Sequence, residues 1–202
     1  MGTIFFKPST IKEFLRTNKI SIEKYDELLI GLTLSKFHQT DEVNETLIGF
    51  KIKPSLYHKL PHKGRTNIAN MKLIIDHLKD TYTPIDIVIA FESIGSINRR
   101  SNKGMAYQLK SFREHIDGNA TIPLTEYLNK KIPKKYAPTD AKLLMTIDGA
   151  SIIDWVEVQQ KFKPKGFPFT GVMFLVVSDD YIHIGELWPT QGTNKYKPSE
   201  LL

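Results

Sequence analysis

The chain contains no cysteine. A disulfide framework and a thiolate metal site are therefore excluded, and a reducing compartment suits the composition. No run approaches the ~18 apolar residues that a membrane helix needs, so no membrane partner is expected. The opening MGTIFFKPSTIKEFLRTNK has a very short apolar run with Pro8 behind it. That is not a secretory signal, and a cytoplasmic location is expected. No phosphate-cradling glycine loop occurs: FESIGSINRRSNKG carries Gly95 and Gly104 without the spacing or the following Lys-Ser/Thr. There is no Gly-x-Ser-x-Gly, and the serines and histidines are too scattered to select a triad. His58 and His62 have helical spacing, but Pro61 between them disfavours a metal pair.

What is present is a globular composition with an excess of cations. The chain has 202 residues, 41% apolar and 25% charged, enough to bury a core without staples. Lys and Arg outnumber Asp and Glu by 28 to 22, for a net charge of +6. Such a balance favours a polyanionic partner, most simply nucleic acid. An A/T-rich coding bias, which also raises Ile and Asn, produces the same balance, so both readings stay open.

The first third reads as helical. Thr10 with Glu13 makes a capping box for a helix to about Thr17. Ser21 is placed to cap a second helix with Ile22, Tyr25, Leu28, Leu29 and Leu32 at helical spacing. The pair is a helical hairpin or a helix-turn-helix, without a cluster of base-reading residues. ETLIGFKIKP is a strand stopped by Pro54, and NIANMKLIIDHLKDTY an amphipathic helix. IDIVIAFESI is a continuous apolar run, as in a strand covered on both faces. MAYQLKSFREHI and PLTEYLNKK are expected to be helices. Strands dominate after Pro133, ending in a hairpin over VMFLVVSDDYIHIGELW, with the last ten residues as a tail. The expectation is an α/β or α+β chain, with a helical segment over 1–40 and a core over 41–202.

PTDAKLLMTIDGASIIDWVEVQQK (138–161) concentrates the chemistry. Asp148-Gly149 is a strong hairpin turn signal. A two-residue loop there sets Asp140 opposite Glu157, with side chains about 5 Å apart on one face. Gln159 and Lys161 share that face, while Leu143, Met145, Ile147, Ile152, Val156 and Val158 line the other. Two opposed carboxylates suit one Mg²⁺, which would lower the pKa of a bound water and neutralise charge on a phosphate. Solvated strand ends paired with Lys142 or Lys161 are the other reading. An alternative register using Asp148 as the metal ligand needs a turn near Ser151, which has poorer turn chemistry.

These residues resemble the PD-(D/E)XK nuclease superfamily, whose signature is an Asp opening one strand and Glu-x-Lys on the next. The resemblance spans residues 138–161 and departs in reading Pro-Thr-Asp, in Gln159 at the lysine position, and in the breaker-rich KFKPKGFPFTG that follows. It implies a restriction-endonuclease-like mixed sheet flanked by helices. Asp140 and Glu157 would hold Mg²⁺, Gln159 and Lys161 would complete the catalytic set, and Glu126 would be an added acid from a helix. It also implies a homodimer cutting DNA.

Beside that motif, Arg99, Arg100 and Lys103 form a basic loop suited to clamping phosphates. Lys161, Lys163 and Lys165 alternate with Phe162, Phe167 and Phe169 in a stretch suited to backbone contact with base stacking, or to phenylalanines tucked beneath a loop. Asp86 and Glu92 lie roughly 20 Å apart along one strand, too far to share a cation. The leading expectation is a Mg²⁺-dependent DNA endonuclease. The alternatives are a non-catalytic DNA-binding or replication-associated protein of that fold, and a phage or plasmid protein that binds another protein.

Overall fold

Pro8 occupies the first turn of helix α1 (Pro8–Thr17), where its missing N–H leaves no bond unmade. The helix therefore starts ahead of Thr10, and Lys7 is its N-cap. The structure, a computed structural model, describes residues 2–39, 43–52, 54–61, 67–79, 87–93, 103–112, 119–148, 152–178, 180–189 and 192–202. The chain is a mixed α/β protein whose eight-stranded mixed sheet follows chain order, β1 to β8. It divides into two compact units, Met1–Ala106 with Leu201–Leu202, and Tyr107–Glu200. Among the described residues no helix is long and apolar enough to cross a membrane.

The first unit contains β1 (Gly2–Phe6), α1, α2 (Ile22–Phe37), β2 (Val43–Ile52), α3 (Pro54–Tyr57), α4 (Ile68–Lys79) and β3 (Ile87–Ser93). β1, β2 and β3 are antiparallel neighbours. Their register aligns Phe6, Ile48 and Ile89 in one row and Ile4, Phe50 and Ile87 in the next. All six are buried, which is the period-two pattern of a sheet face turned to a core. Gly31 lets α2 approach that face, since a Cβ there would lie 3.1 Å from Ile48 Cγ2.

The second unit takes β4 (Lys103–Phe112) from Tyr107 onward. It continues through α5 (Thr121–Glu126), a π-helical stretch (Tyr127–Lys131), α6 (Ile132–Lys135) and β5 (Lys142–Asp148). Then come α7 (Trp155–Lys161), β6 (Gly171–Val177), β7 (Ile182–Trp188), β8 (Gly192–Tyr196) and α8 (Pro198–Leu201). β4, β5 and β6 are parallel, while β7 and β8 are antiparallel. Leu143, Met145 and Ile147 alternate toward a core shared with Leu128, Ile132, Val158, Val172 and Phe174.

The segment expected to be helical over 1–40 opens with strand β1, and four later elements also differ from expectation. MAYQLKSF is strand β4, because Tyr107 and Leu109 are buried while Gln108 and Lys110, which alternate with them, are half-buried; that alternation outweighs helical propensity. The tail holds β8 and α8 instead of irregular chain. Most consequentially, residues 155–161 are helical and the Asp148-Gly149 hairpin does not form. β5 pairs in parallel with both neighbours, and parallel strands need a crossover, which α7 supplies. The second expected hairpin is present as β6 and β7.

Candidate nucleic-acid interface

Without the hairpin, no ladder sets Asp140 opposite Glu157. Asp140 is exposed in the bend before β5, where its backbone carbonyl accepts from Thr170 Oγ1 at 3.3 Å. Glu157 sits in the first turn of α7, and its carboxylate is ion-paired with Lys161 one helical turn later. Gln159 is half-buried and donates to the Leu187 carbonyl at 3.4 Å, bracing α7 on β7. Glu126 ends α5, exposed, and pairs with Lys130 at 2.8 Å. The hydrogen bond from that ammonium, then its charge, holds the carboxyl below the usual glutamate range. Of the expected catalytic set the structure joins Glu157 and Lys161, as a surface pair. Among the described residues no three His, Asp or Glu side chains are grouped to hold a metal. Arg99 and Arg100 lie outside the described residues, and Lys103 opens β4.

The second unit gathers its lysines elsewhere. Two ties set α5 and α7 side by side at their N-terminal ends. Ala120 N–H donates to the Ile152 carbonyl at 2.9 Å, and Asp154 N–H to Thr121 Oγ1 at 2.8 Å. Asn129, in the π-helical stretch, ties in the far end of α7. Its Nδ2 donates to the Lys161 carbonyl and its Oδ1 accepts from Lys163 N–H, both at 2.8 Å. One amide thus caps an orphan carbonyl at the end of α7 and clasps the loop that follows. The end of α7 and the loop after it are therefore fastened to the π-helical stretch, with Lys130, Lys131, Lys134 and Lys135 on that helical segment and Lys161, Lys163 and Lys165 at the end of α7 and in its loop. All seven are exposed. Cations belong there by elementary electrostatics, since helix C-termini carry partial negative charge.

The loop carrying Lys163 and Lys165 is held at many points. Phe167 N–H donates to the Pro164 carbonyl at 3.0 Å, closing a turn with Lys165 and Gly166 at its centre. Gly166 has φ +76°, the left-handed conformation that the third residue of a type II turn requires. Phe162 and Phe169 are buried at 8% and 3% exposure. Thr139 N–H bonds the Pro168 carbonyl at 2.8 Å and Thr170 N–H the Ala141 carbonyl at 3.0 Å. The phenylalanines of KFKPKGFPF are therefore chiefly anchors.

Several of the seven cations are already engaged. Lys130 holds Glu126 and Lys161 holds Glu157. Lys131 lies over the Tyr127 ring and Lys135 over Tyr136, each at 5.9 Å. Lys134, Lys163 and Lys165 make no side-chain contact of this kind among the described residues. Sequence reading singled out Lys161, Lys163 and Lys165 and missed Asn129 and the helix lysines. The run Lys130-Lys131-x-x-Lys134-Lys135 was the available signal.

A second polar cluster is internal. The register places Tyr107, Lys142 and Gly171 in one row across β4, β5 and β6. The Lys142 side chain passes over Gly171, with Cδ and Cε each 3.2 Å from where a Cβ would stand, and pairs with Glu186 on β7. The two side chains are 14% and 10% exposed. Burial, then the Glu186 charge, raises the Tyr107 hydroxyl pKa well above the phenolic range, so Tyr107 is a neutral member of the row.

Comparison with known proteins gives no match: no family model, no curated protein and no solved structure is significantly similar to the chain.

Proposed function

We propose that the chain binds nucleic acid through the phosphate backbone, at the lysine surface formed by the π-helical stretch, α6, the end of α7 and the loop after it. One observation carries this reading. Lys134, Lys163 and Lys165 are exposed and, among the described residues, free of carboxylate partners, and Asn129 fastens the loop that carries Lys163 and Lys165 to the helical segment that carries Lys134 before any ligand arrives. Phosphate contacts from lysine position a protein on nucleic acid without reading sequence. A clasped loop also loses less freedom on binding than a loose one. The reading corresponds to the non-catalytic alternative of the sequence analysis. Mg²⁺-dependent cleavage is not included, because its two carboxylates stand on separate elements without the ladder that would oppose them.

The test is anisotropy of a labelled oligonucleotide against Lys134→Gln/Lys163→Gln/Lys165→Gln at several salt concentrations. Affinity should fall by on the order of 100-fold near ~0.15 M salt, and the slope of log K on log salt should flatten by about 0.9 per lysine removed. Unchanged binding with an intact circular dichroism spectrum refutes the assignment. Supercoiled plasmid incubated with Mg²⁺ or chelator checks cleavage directly, and no Mg²⁺-dependent nicking is expected.

A further inference from the structure

The rings around the lysine surface bear on what form of nucleic acid fits it. Binding an unpaired strand favours aromatic faces left open for bases to stack on. Here the rings are engaged with one another and with ammonium groups. Tyr136 carries Lys110 at 5.6 Å and Lys135 at 5.9 Å from its centroid and packs on Phe169 at 5.3 Å. Tyr127 carries Lys131 and meets Phe112 edge-on at 5.6 Å. Phe167, the half-buried member of the loop, sits between Phe162 at 5.0 Å and Phe169 at 5.9 Å. No aromatic residue is among the exposed large hydrophobics of the described residues.

The cations are also of one kind. All seven exposed cations of this surface are lysines; arginine, the side chain that forks onto guanine edges or stacks on a base, is not among them. Lysine is a point charge, and a fixed set of point charges gains most from the densest phosphate array. Counterion release per contact is larger on a duplex, at about 0.9 ions, than on a single strand, at about 0.7.

We infer that the ligand of this surface is a nucleic-acid duplex whose bases stay stacked and unread. The inference rests on the binding site proposed above and names its ligand class. The experiment compares four labelled ligands of equal length against the full chain: a DNA duplex, the same duplex with permuted sequence, an RNA duplex, and an unstructured single strand. Both DNA duplexes should bind within twofold of each other and about fivefold or more tighter than the single strand near ~0.15 M salt. The RNA arm distinguishes the two sources of the shared duplex chemistry. A single strand that binds as tightly as the duplexes, or a tenfold preference for one duplex sequence, overturns the inference while leaving the binding site standing. Salt-insensitive or absent binding to all four refutes the site itself. Phe167→Leu removes the most accessible ring of the loop and keeps apolar volume. Its affinities should stay within twofold, and a tenfold loss confined to the single strand would show base stacking after all.

Discussion

Lys142 and Glu186 illustrate how one side chain's value depends on its neighbour. Both are largely withdrawn from water and pair across β6. Removing one partner leaves an uncompensated charge, and in such pairs that costs about 3 kcal/mol or more, while replacing both with apolar groups is often neutral. Glu186→Leu should therefore destabilise strongly in urea unfolding, and Lys142→Met/Glu186→Leu should recover most of the loss. Equal destabilisation by the single and double variants would refute the coupling. The pair was not foreseen: Lys142 was considered only as a partner for a solvated Asp140, because sequence does not show which strands become neighbours. Asn129 was missed for a similar reason, since its two partners lie more than thirty positions away.

At the scale of elements, the informative case is α7. Asp154-x-x-Glu157 is a capping pattern, and the structure uses it: the Asp154 carboxylate accepts from Glu157 N–H at 3.0 Å. Asp154→Ala should cost about 1 kcal/mol in thermal or denaturant unfolding, and a neutral effect would show that packing of Val158 and Trp155 alone holds the helix. The capping signal was legible but lost to Asp148-Gly149, a local turn signal that says nothing of which strand lies alongside. The apolar run of β5 suits a parallel strand buried on both faces, a position that calls for a crossover instead of a hairpin, but it was read as half of a hairpin. Helices α1, α2 and α4 and strands β2, β3, β6 and β7 were legible because their apolar periodicity is strong. β4 was misread because its polar and apolar residues satisfy two periods at once. Of the candidate site, the loop lysines were legible from their alternation with phenylalanine, and the helix lysines were not, since a charged helix end is ordinary.

For the whole molecule, the net charge of +6 is not the signal, since in the second unit 12 Lys and Arg meet 11 Asp and Glu. The local arrangement is: seven of that unit's lysines lie on the α5–α6 helical segment and at the end of α7 with its loop. A ligand that binds this surface only in the folded chain must stabilise it by mass action, by about 2.7 kcal/mol at a hundredfold excess over Kd. Duplex DNA should accordingly raise the melting temperature by several degrees at low salt. The shift should vanish as salt approaches ~1 M, where the Debye length falls to about 3 Å. A shift that persists at high salt would mean that contacts other than phosphate dominate.

The bare backbone at Gly171 has a consequence for how the second unit assembles. Lys142 and Glu186 are 44 residues apart in the chain and two strands apart in the sheet. Their charges can meet only once the intervening strand is seated with its one side-chain-free position in the lane between them. A slip of a single residue would put Thr170 or Val172 in that lane and block it. The pair thus ties the alignment of three strands together, since only this register lets the two charges meet.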